Sequence, residues 1–243
     1  MELSKRLYAV AGLVTEGASV ADIGTDHGYV PIYLVEEGIA RKALALDVNR
    51  GPLERARMHI VGHGLGDKIE TRLSDGLREI RPGEVDTIIV SGMGGPLTIR
   101  ILKDGEAVTD KLEALILQPQ SEIARVRRFL VEQGYRIQRE DMVFEDGKYY
   151  PVMRVVHGAP EPYEAWEYLY GKRLLEERHP ILGEFLLREL RIQESILEQL
   201  ARRKESVSAQ ERAKEICEAR ELTQKALDRM ESCLLYTSDA ADD

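Results

Sequence analysis

The sequence predicts an α/β protein: a mostly parallel sheet with an antiparallel last strand, followed by an α-helical coiled-coil hairpin. Three observations predict it. Up to residue 158, short β-branched or apolar runs alternate with helical stretches, the pattern of βαβ units. The last two runs are joined only by Glu145-Asp146-Gly147-Lys148, whose Asp-Gly signals a tight hairpin turn. Beyond Gly158-Ala159-Pro160 the strand signals vanish, and Leu, Glu, Arg and Lys take over at helical spacing.

In chain order the strand candidates are SVADIG (19–24), KALALDV (42–48), KIETRLS (68–74) and VDTIIVS (85–91). EALILQ (113–118), YRIQREDMVF (135–144) and YYPVMRVVH (149–157) follow. Helices are expected between them at Tyr29–Glu37, Pro52–His63, Pro96–Asp104 and Glu122–Gln133. Five alternating strands and a closing hairpin suit a methyl-transfer sheet better than a six-stranded dinucleotide fold. In the second part, helices are expected at Glu164–Glu177, Pro180–Lys204 and Ser208–Glu231. Leu186, Leu190, Ile196, Leu197 and Leu200 make one apolar stripe; Ile216, Leu222, Leu227 and Met230 make the other. The break at Glu205-Ser206-Val207-Ser208 supplies an N-cap for the last helix, and the two long helices pair as an antiparallel hairpin. The expected domains are thus 1–158 and a helical arm at 159–232. Residues 233–243, CLLYTSDAADD, break the helical pattern and resemble translated sequencing adapter, so they are set aside.

Charged residues make up 32% of the 243 and hydrophobic ones 43%, the balance of an ordinary soluble globular protein. No run of about 18 apolar residues is present, and the N-terminus lacks a signal-peptide pattern, so a cytoplasmic protein without a membrane partner is expected. The only cysteines are Cys217 and Cys233, which argues against a disulfide framework or a bound metal. The net charge of −9 does not announce a nucleic-acid binder, so phosphate contacts would have to come from local basic groups. The candidates are Lys5 and Arg6; Arg125, Arg127 and Arg128; and Arg202, Arg203 and Lys204. Each reads more readily as a solvated helix face than as a phosphate site. A monomer is the default expectation for the oligomeric state.

The segment DIGTDHGYVP, Asp22–Pro31, passes from a buried strand through two glycines into a helix. Open α/β sheets bind ligands in this crevice, beyond the carboxyl end of a parallel strand. Gly24 and Gly28 admit close approach of a ligand to the backbone, although a plain strand-to-helix turn has the same look. Acids downstream decide between these readings. Asp47, with Val48, follows the second strand, where a carboxylate accepts both ribose hydroxyls. Asp75, with Gly76, follows the third and is placed to accept from an adenine amino group. Acids ending the first three strands fit S-adenosylmethionine better than NAD, and Asp26 in place of a middle glycine would repel a pyrophosphate. The expected cofactor contacts are therefore Asp22, Gly24, Thr25, Asp26, His27 and Gly28, then Asp47, Val48, Asp75, Gly76, Ser91 and Gly92.

SGMGG, Ser91–Gly95, has too little side chain for a catalytic cluster and reads as a flat floor beside the reacting methyl, or else as a glycine turn. No Asn/Asp-Pro-Pro-aromatic element stands there, and no cysteine lies in the first domain. The acceptor is then a heteroatom with its own lone pair, needing positioning more than activation. Asp26 is the expected catalytic residue, with helix capping as its bland alternative. His27 reads more readily as a packed turn histidine, and His63 as part of a helix-ending turn. Tyr29 can stack on a base or serve the core.

LSKRL (3–7), ADIGTDHGYVP, DGL (75–77), SGMGG and LILQP (115–119), in this order, resemble the bacterial tRNA adenine-22 N1-methyltransferase family over residues 1–231. The resemblance implies a Rossmann-like class I methyltransferase sheet, S-adenosylmethionine as donor, and N1 of a tRNA adenine as acceptor. It also implies that Asp26 assists catalysis, and that Met93, Gly94 and Gly95 border the base pocket with Gln118, Pro119 and Gln120. The family pattern often has Asn after LILQP where this chain has Gln120, an amide of longer reach. Rival readings are a methyltransferase for a protein or small molecule, a non-catalytic RNA-binding scaffold and, more distantly, an NAD oxidoreductase.

Overall fold

The computed structural model describes residues 2–159, 161–202 and 207–232. Its elements are α1 (Lys5–Ala11), β1 (Ala18–Ile23), α2 (Tyr29–Glu36), β2 (Ala40–Asp47), α3 (Arg50–Gly62), β3 (Ile69–Leu73) and β4 (Thr87–Ser91). There follow α4 (Gly95–Asp104), α5 (Glu106–Thr109), β5 (Ala114–Gln118), α6 (Ile123–Glu132), β6 (Tyr135–Glu145) and β7 (Lys148–His157). The second region holds α7 (Ala165–Tyr170), α8 (Lys172–Glu176), α9 (Pro180–Ala201) and α10 (Val207–Ser232).

All seven strands join one sheet in the order β3-β2-β1-β4-β5-β7-β6. The first five are parallel, and β7 returns antiparallel to both β5 and β6. Because β1 lies between β2 and β4, the order reverses there, and a crevice opens at its carboxyl end. Strands β1, β4 and β5 read as near-continuous apolar runs because both faces are covered, with Val20, Ala21, Ile88, Ile89 and Ile116 fully buried, whereas the edge strand β3 is mostly half-buried or exposed. The hairpin turn has positive φ at both Asp146 and Gly147, the type I′ geometry that Asp-Gly favours.

The chain divides into two compact units, the first ending at Glu161 and the second beginning at Pro162. In the second, the helix expected over 164–177 is two helices, α7 and α8. Gly171 parts them with φ 96° and ψ 115°, a conformation no helix contains. The long helices α9 and α10 run antiparallel: Gly183 lies against Met230 and Gln193 donates to Thr223, so residue numbers rise on one as they fall on the other. The buried line on α10 differs from the leucine stripe expected. Ala209, Ile216, Thr223 and Ala226 are buried, while Leu222, Leu227 and Met230 are only half-buried. Thr223 is accommodated because its hydroxyl hydrogen-bonds Tyr170 and the Ala219 carbonyl and accepts from Gln193. Glu205 and Ser206 of the expected capping break and the tail 233–243 lie outside the described residues, whereas Val207 and Ser208 already belong to α10. Among the described residues, no helix is long and apolar enough to cross a membrane.

Candidate active site

The cofactor loop begins where β1 ends. Gly24 and Thr25 both donate their N–H to the Leu46 carbonyl of β2, which pins the turn to the neighbouring strand. Gly24 has φ 75°, a left-handed value, and a Cβ there would collide with the Met93 methyl. Two requirements thus meet at one residue. Replacing Gly24 by Ala is expected to cost about 1–2 kcal/mol from the left-handed φ alone. It is also expected to weaken binding of S-adenosylhomocysteine by roughly tenfold, read by calorimetry, since Met93 must move too. Gly28 serves differently. It is the N-cap of α2 with a left-handed φ of 70°, while a Cβ there would only reach ordinary contact with Ala56 of α3 at 3.4 Å.

Two acids close off the inner side. Asp22 is buried, which pushes its carboxyl from an ordinary 3.8 up to about 6; the Thr25 hydroxyl opposes the rise and the charge of Asp47 adds to it. Asp47, 9% exposed, accepts from the Asn49 N–H on Oδ1 at 2.7 Å, leaving Oδ2 for a ligand hydroxyl. Asp75 stands apart, half-exposed and held between Arg78 (3.3 Å) and Arg100 (3.7 Å).

The turns after β4 and β5 are zipped together. Gly92 donates to the Gln118 carbonyl, Gln120 to the Met93 carbonyl and Gly95 to the Ser121 carbonyl. The Gln118 side chain lies inside this zipper, 1% exposed, its Oε1 accepting from Gly92 N–H (3.0 Å) and Ser91 Oγ (3.3 Å). A third donor, Arg6 Nη1, reaches the same oxygen at 3.1 Å and Ser91 Oγ at 3.2 Å.

Between loop and zipper lies a cleft of about 380 Å³ lined by Arg6, Leu7, Asp22, Gly24, Asp26, Tyr29, Val30, Ser91, Gly92 and Gln120. Seven of the residues expected from sequence meet there: Asp22, Gly24, Asp26, Tyr29, Ser91, Gly92 and Gln120. Thr25, Gly28, Gln118 and Pro119 are buried behind its walls, and His27, Asp47, Val48, Asp75, Gly76, Met93, Gly94 and Gly95 do not line it. Asp26 is 64% exposed, with Oδ1 3.1 Å from Arg55 Nη2 and 3.5 Å from His27 Nε2. It does not cap α2: the N-cap is Gly28, with no side-chain cap bond. His27 takes φ 61°, and its ring lies nearly parallel to Tyr29 (centroids 5.1 Å apart, 6°) and to His59 (5.3 Å, 21°). His63 ends α3 as its C-cap, with Nδ1 2.6 Å from Glu36 Oε1.

The basic groups expected to meet phosphates divide. Arg127 is 1% exposed and ion-paired to the buried Glu140 at 2.8 Å, so it is no surface contact; it falls on the face of α6 that buries Val126 and Leu130. Arg125 pairs with Glu122, and Arg203 and Lys204 lie outside the described residues. Arg6 is not a solvated cation but part of the cleft wall. As a candidate phosphate contact it shares its helix start with Lys5, and no spacing in the sequence separates the two.

Sheet order, switch-point cleft and strand-end acids define a nucleotide-cofactor domain of the methyltransferase class, and a family model described as a methyltransferase domain matches residues 3–153. The chain is 34% identical to the tRNA (adenine(22)-N(1))-methyltransferase of Bacillus subtilis (strain 168), covering 94% of this chain and 98% of that one. It belongs to this family. Streptococcus pneumoniae Sp1610, solved in complex with S-adenosyl-L-methionine, is 32% identical, with a TM-score of 0.82 over 93% of this chain and 100% of that one. M. capricolum TrmK, solved with the cofactor product S-adenosyl-homocysteine, is 28% identical, with a TM-score of 0.82 over 95% of this chain and 100% of that one.

Proposed function

We propose that this protein transfers a methyl group from S-adenosylmethionine to N1 of adenine 22 in tRNA, acting in the cytoplasm. The observation that carries the reading is the similarity to the B. subtilis enzyme along nearly the whole of both chains, methyltransferase unit and helical arm together. The residues present suit the donor. Asp22 is a buried carboxylate at the strand end, fit to receive an ammonium, and the free oxygen of Asp47 is fit to receive a ribose hydroxyl. When bound, S-adenosylmethionine supplies an electrophilic methyl carried on a sulfonium. Adenine N1 attacks with its own lone pair, so the protein need not remove a proton first. Its tasks are to hold the base out of its pair, with Tyr29 on the cleft wall as a stacking surface, and to place Asp26 where positive charge develops. Incubating the protein with labelled S-adenosylmethionine and bacterial tRNA, then mapping reverse-transcription stops, tests the assignment. A stop at position 22 is expected; methylation of protein or small molecules without it would overturn the reading.

Asp22 gives a pH test. An ammonium beside it requires the ionised carboxylate, and in the free protein that group is protonated below about 6. Affinity for S-adenosylhomocysteine is therefore expected to fall as pH drops through 6, to about one tenth of its plateau at pH 5. Folding has the opposite sense. The folded-state value lies above the ordinary 3.8, so this group's contribution to stability is present below 3.8 and lost as pH rises through about 6. Asp22→Asn is expected to remove both dependences, measured by calorimetry and by thermal melts across pH.

A further inference from the structure

We propose that Arg55 takes a phosphate of the bound tRNA and, in doing so, releases Asp26 to face the target adenine. The inference rests on the tRNA methyl-transfer reading of the cleft. Methylation at N1 is served by an uncompensated carboxylate beside the base, yet in the free protein Asp26 Oδ1 accepts from Arg55 Nη2 at 3.1 Å. An arginine kept there only to neutralise Asp26 would oppose the reaction. A second anion that draws the guanidinium away removes the conflict.

The geometry suits such an exchange. Arg55 belongs to α3 and does not line the cleft; it reaches Asp26 from outside the wall. A base seated in the cleft keeps its sugar and phosphates outside, at the rim. The side chains of Arg55 and Asp26 are both well exposed, and ion pairs this open to water are readily exchanged. Among the described residues Nη2 makes the only hydrogen bond of this guanidinium, and the buried Nε has no partner. The terminal Nη1–Nη2 edge can therefore take two oxygens of a phosphodiester, a better match than the single carboxylate oxygen it now holds. The helix around it also favours an anion. Arg50 and Arg57 are exposed and make no ion pair among the described residues, against one acid of α3, Glu54. Arg55 shares a face of α3 with His59, four residues on, whose ring lies 5.8 Å from that of Tyr29 on the cleft wall.

Two measurements on the full chain separate the roles: binding of unmodified bacterial tRNA across salt concentrations, and single-turnover methylation at saturating tRNA. Arg55→Ala is expected to weaken tRNA about three- to tenfold and to make log affinity against log salt shallower by roughly one unit. Its rate at saturating tRNA is expected to stay within about threefold of wild type, because Asp26 is already released there. Arg55→Gln keeps most of the stem without the charge. The same shallower slope is expected of it, and it decides the question should the alanine variant fail to fold. Asp26→Ala is expected to bind tRNA about two- to threefold more tightly, a gain that vanishes when Arg55 is alanine as well. Unchanged affinity and slope with a slower saturating rate would overturn the proposal, since Arg55 would then only orient Asp26. A gain in Asp26→Ala that survives without Arg55 would overturn the exchange, since Asp26 would then merely repel the RNA. If the wild-type protein bound tRNA with no salt dependence, the tRNA reading itself would fall, and the proposal with it.

Discussion

Replacing Asp26 by Ala is expected to lower kcat for tRNA methylation by about 10²-fold while leaving the affinity for S-adenosylhomocysteine within about twofold. Methylation at N1 turns a neutral adenine into a cation, so a carboxylate on the cleft wall stabilises the transition state more than the ground state. Asp26 lines the cleft and caps no helix, which removes helix capping as the reason for an acid at this position. Its 64% exposure and its pairing with Arg55 at 3.1 Å both weaken its field in the free protein. Exclusion of water from the cleft by a bound base would strengthen it. Asp26→Asn separates charge from hydrogen bonding. If charge matters, the amide variant fails nearly as badly as alanine; if Asp26 only accepts a hydrogen bond, the amide recovers most of the activity. Single-turnover rates at saturating tRNA make the measurement, and turnover unchanged in the alanine variant would remove Asp26 from the mechanism.

The strands were legible because most are buried on both faces, which forces runs such as Thr87–Val90 into a pattern few other structures share. The glycine loop and Asp22 stand out in the sequence because they depend on position along a strand. Of the three strand-end acids, Asp22 lines the cleft whereas Asp47 and Asp75 do not. What escaped depends on packing between distant segments. Arg6 and Lys5 are adjacent cations in sequence, and only the docking of α1 against the β6–β7 hairpin turns one into the cleft. Gln118 read as a base contact, but two turns closing on each other bury it as their joint acceptor. On α10, a stripe traced through leucines missed Thr223 because a buried hydroxyl is tolerated only with partners, and Tyr170 and Gln193 lie 53 and 30 residues away.

The largest stability effect is expected at Arg127. Its side chain is 1% exposed and that of Glu140 is wholly buried, with Nε 2.8 Å from Oε1, between α6 and β6. Removing one partner of such a pair strands the other charge in a low-dielectric interior, so Arg127→Ala is expected to cost about 3–5 kcal/mol. Replacing both, as Arg127→Met with Glu140→Leu, is expected to recover most of that loss, because the pair's attraction roughly offsets its own desolvation. The single tryptophan, Trp166, lies in the second unit, away from the altered pair in the first. Native-state hydrogen exchange of the β5 and β7 amides reports on the first unit directly. The cleft is lined from β1, β4, α1, α2 and the intervening turns rather than from α6 or β6, so the double variant is expected to bind S-adenosylhomocysteine as the wild type does. A loss below about 1 kcal/mol in Arg127→Ala would mean that Glu140 takes up a proton at little cost instead of remaining charged.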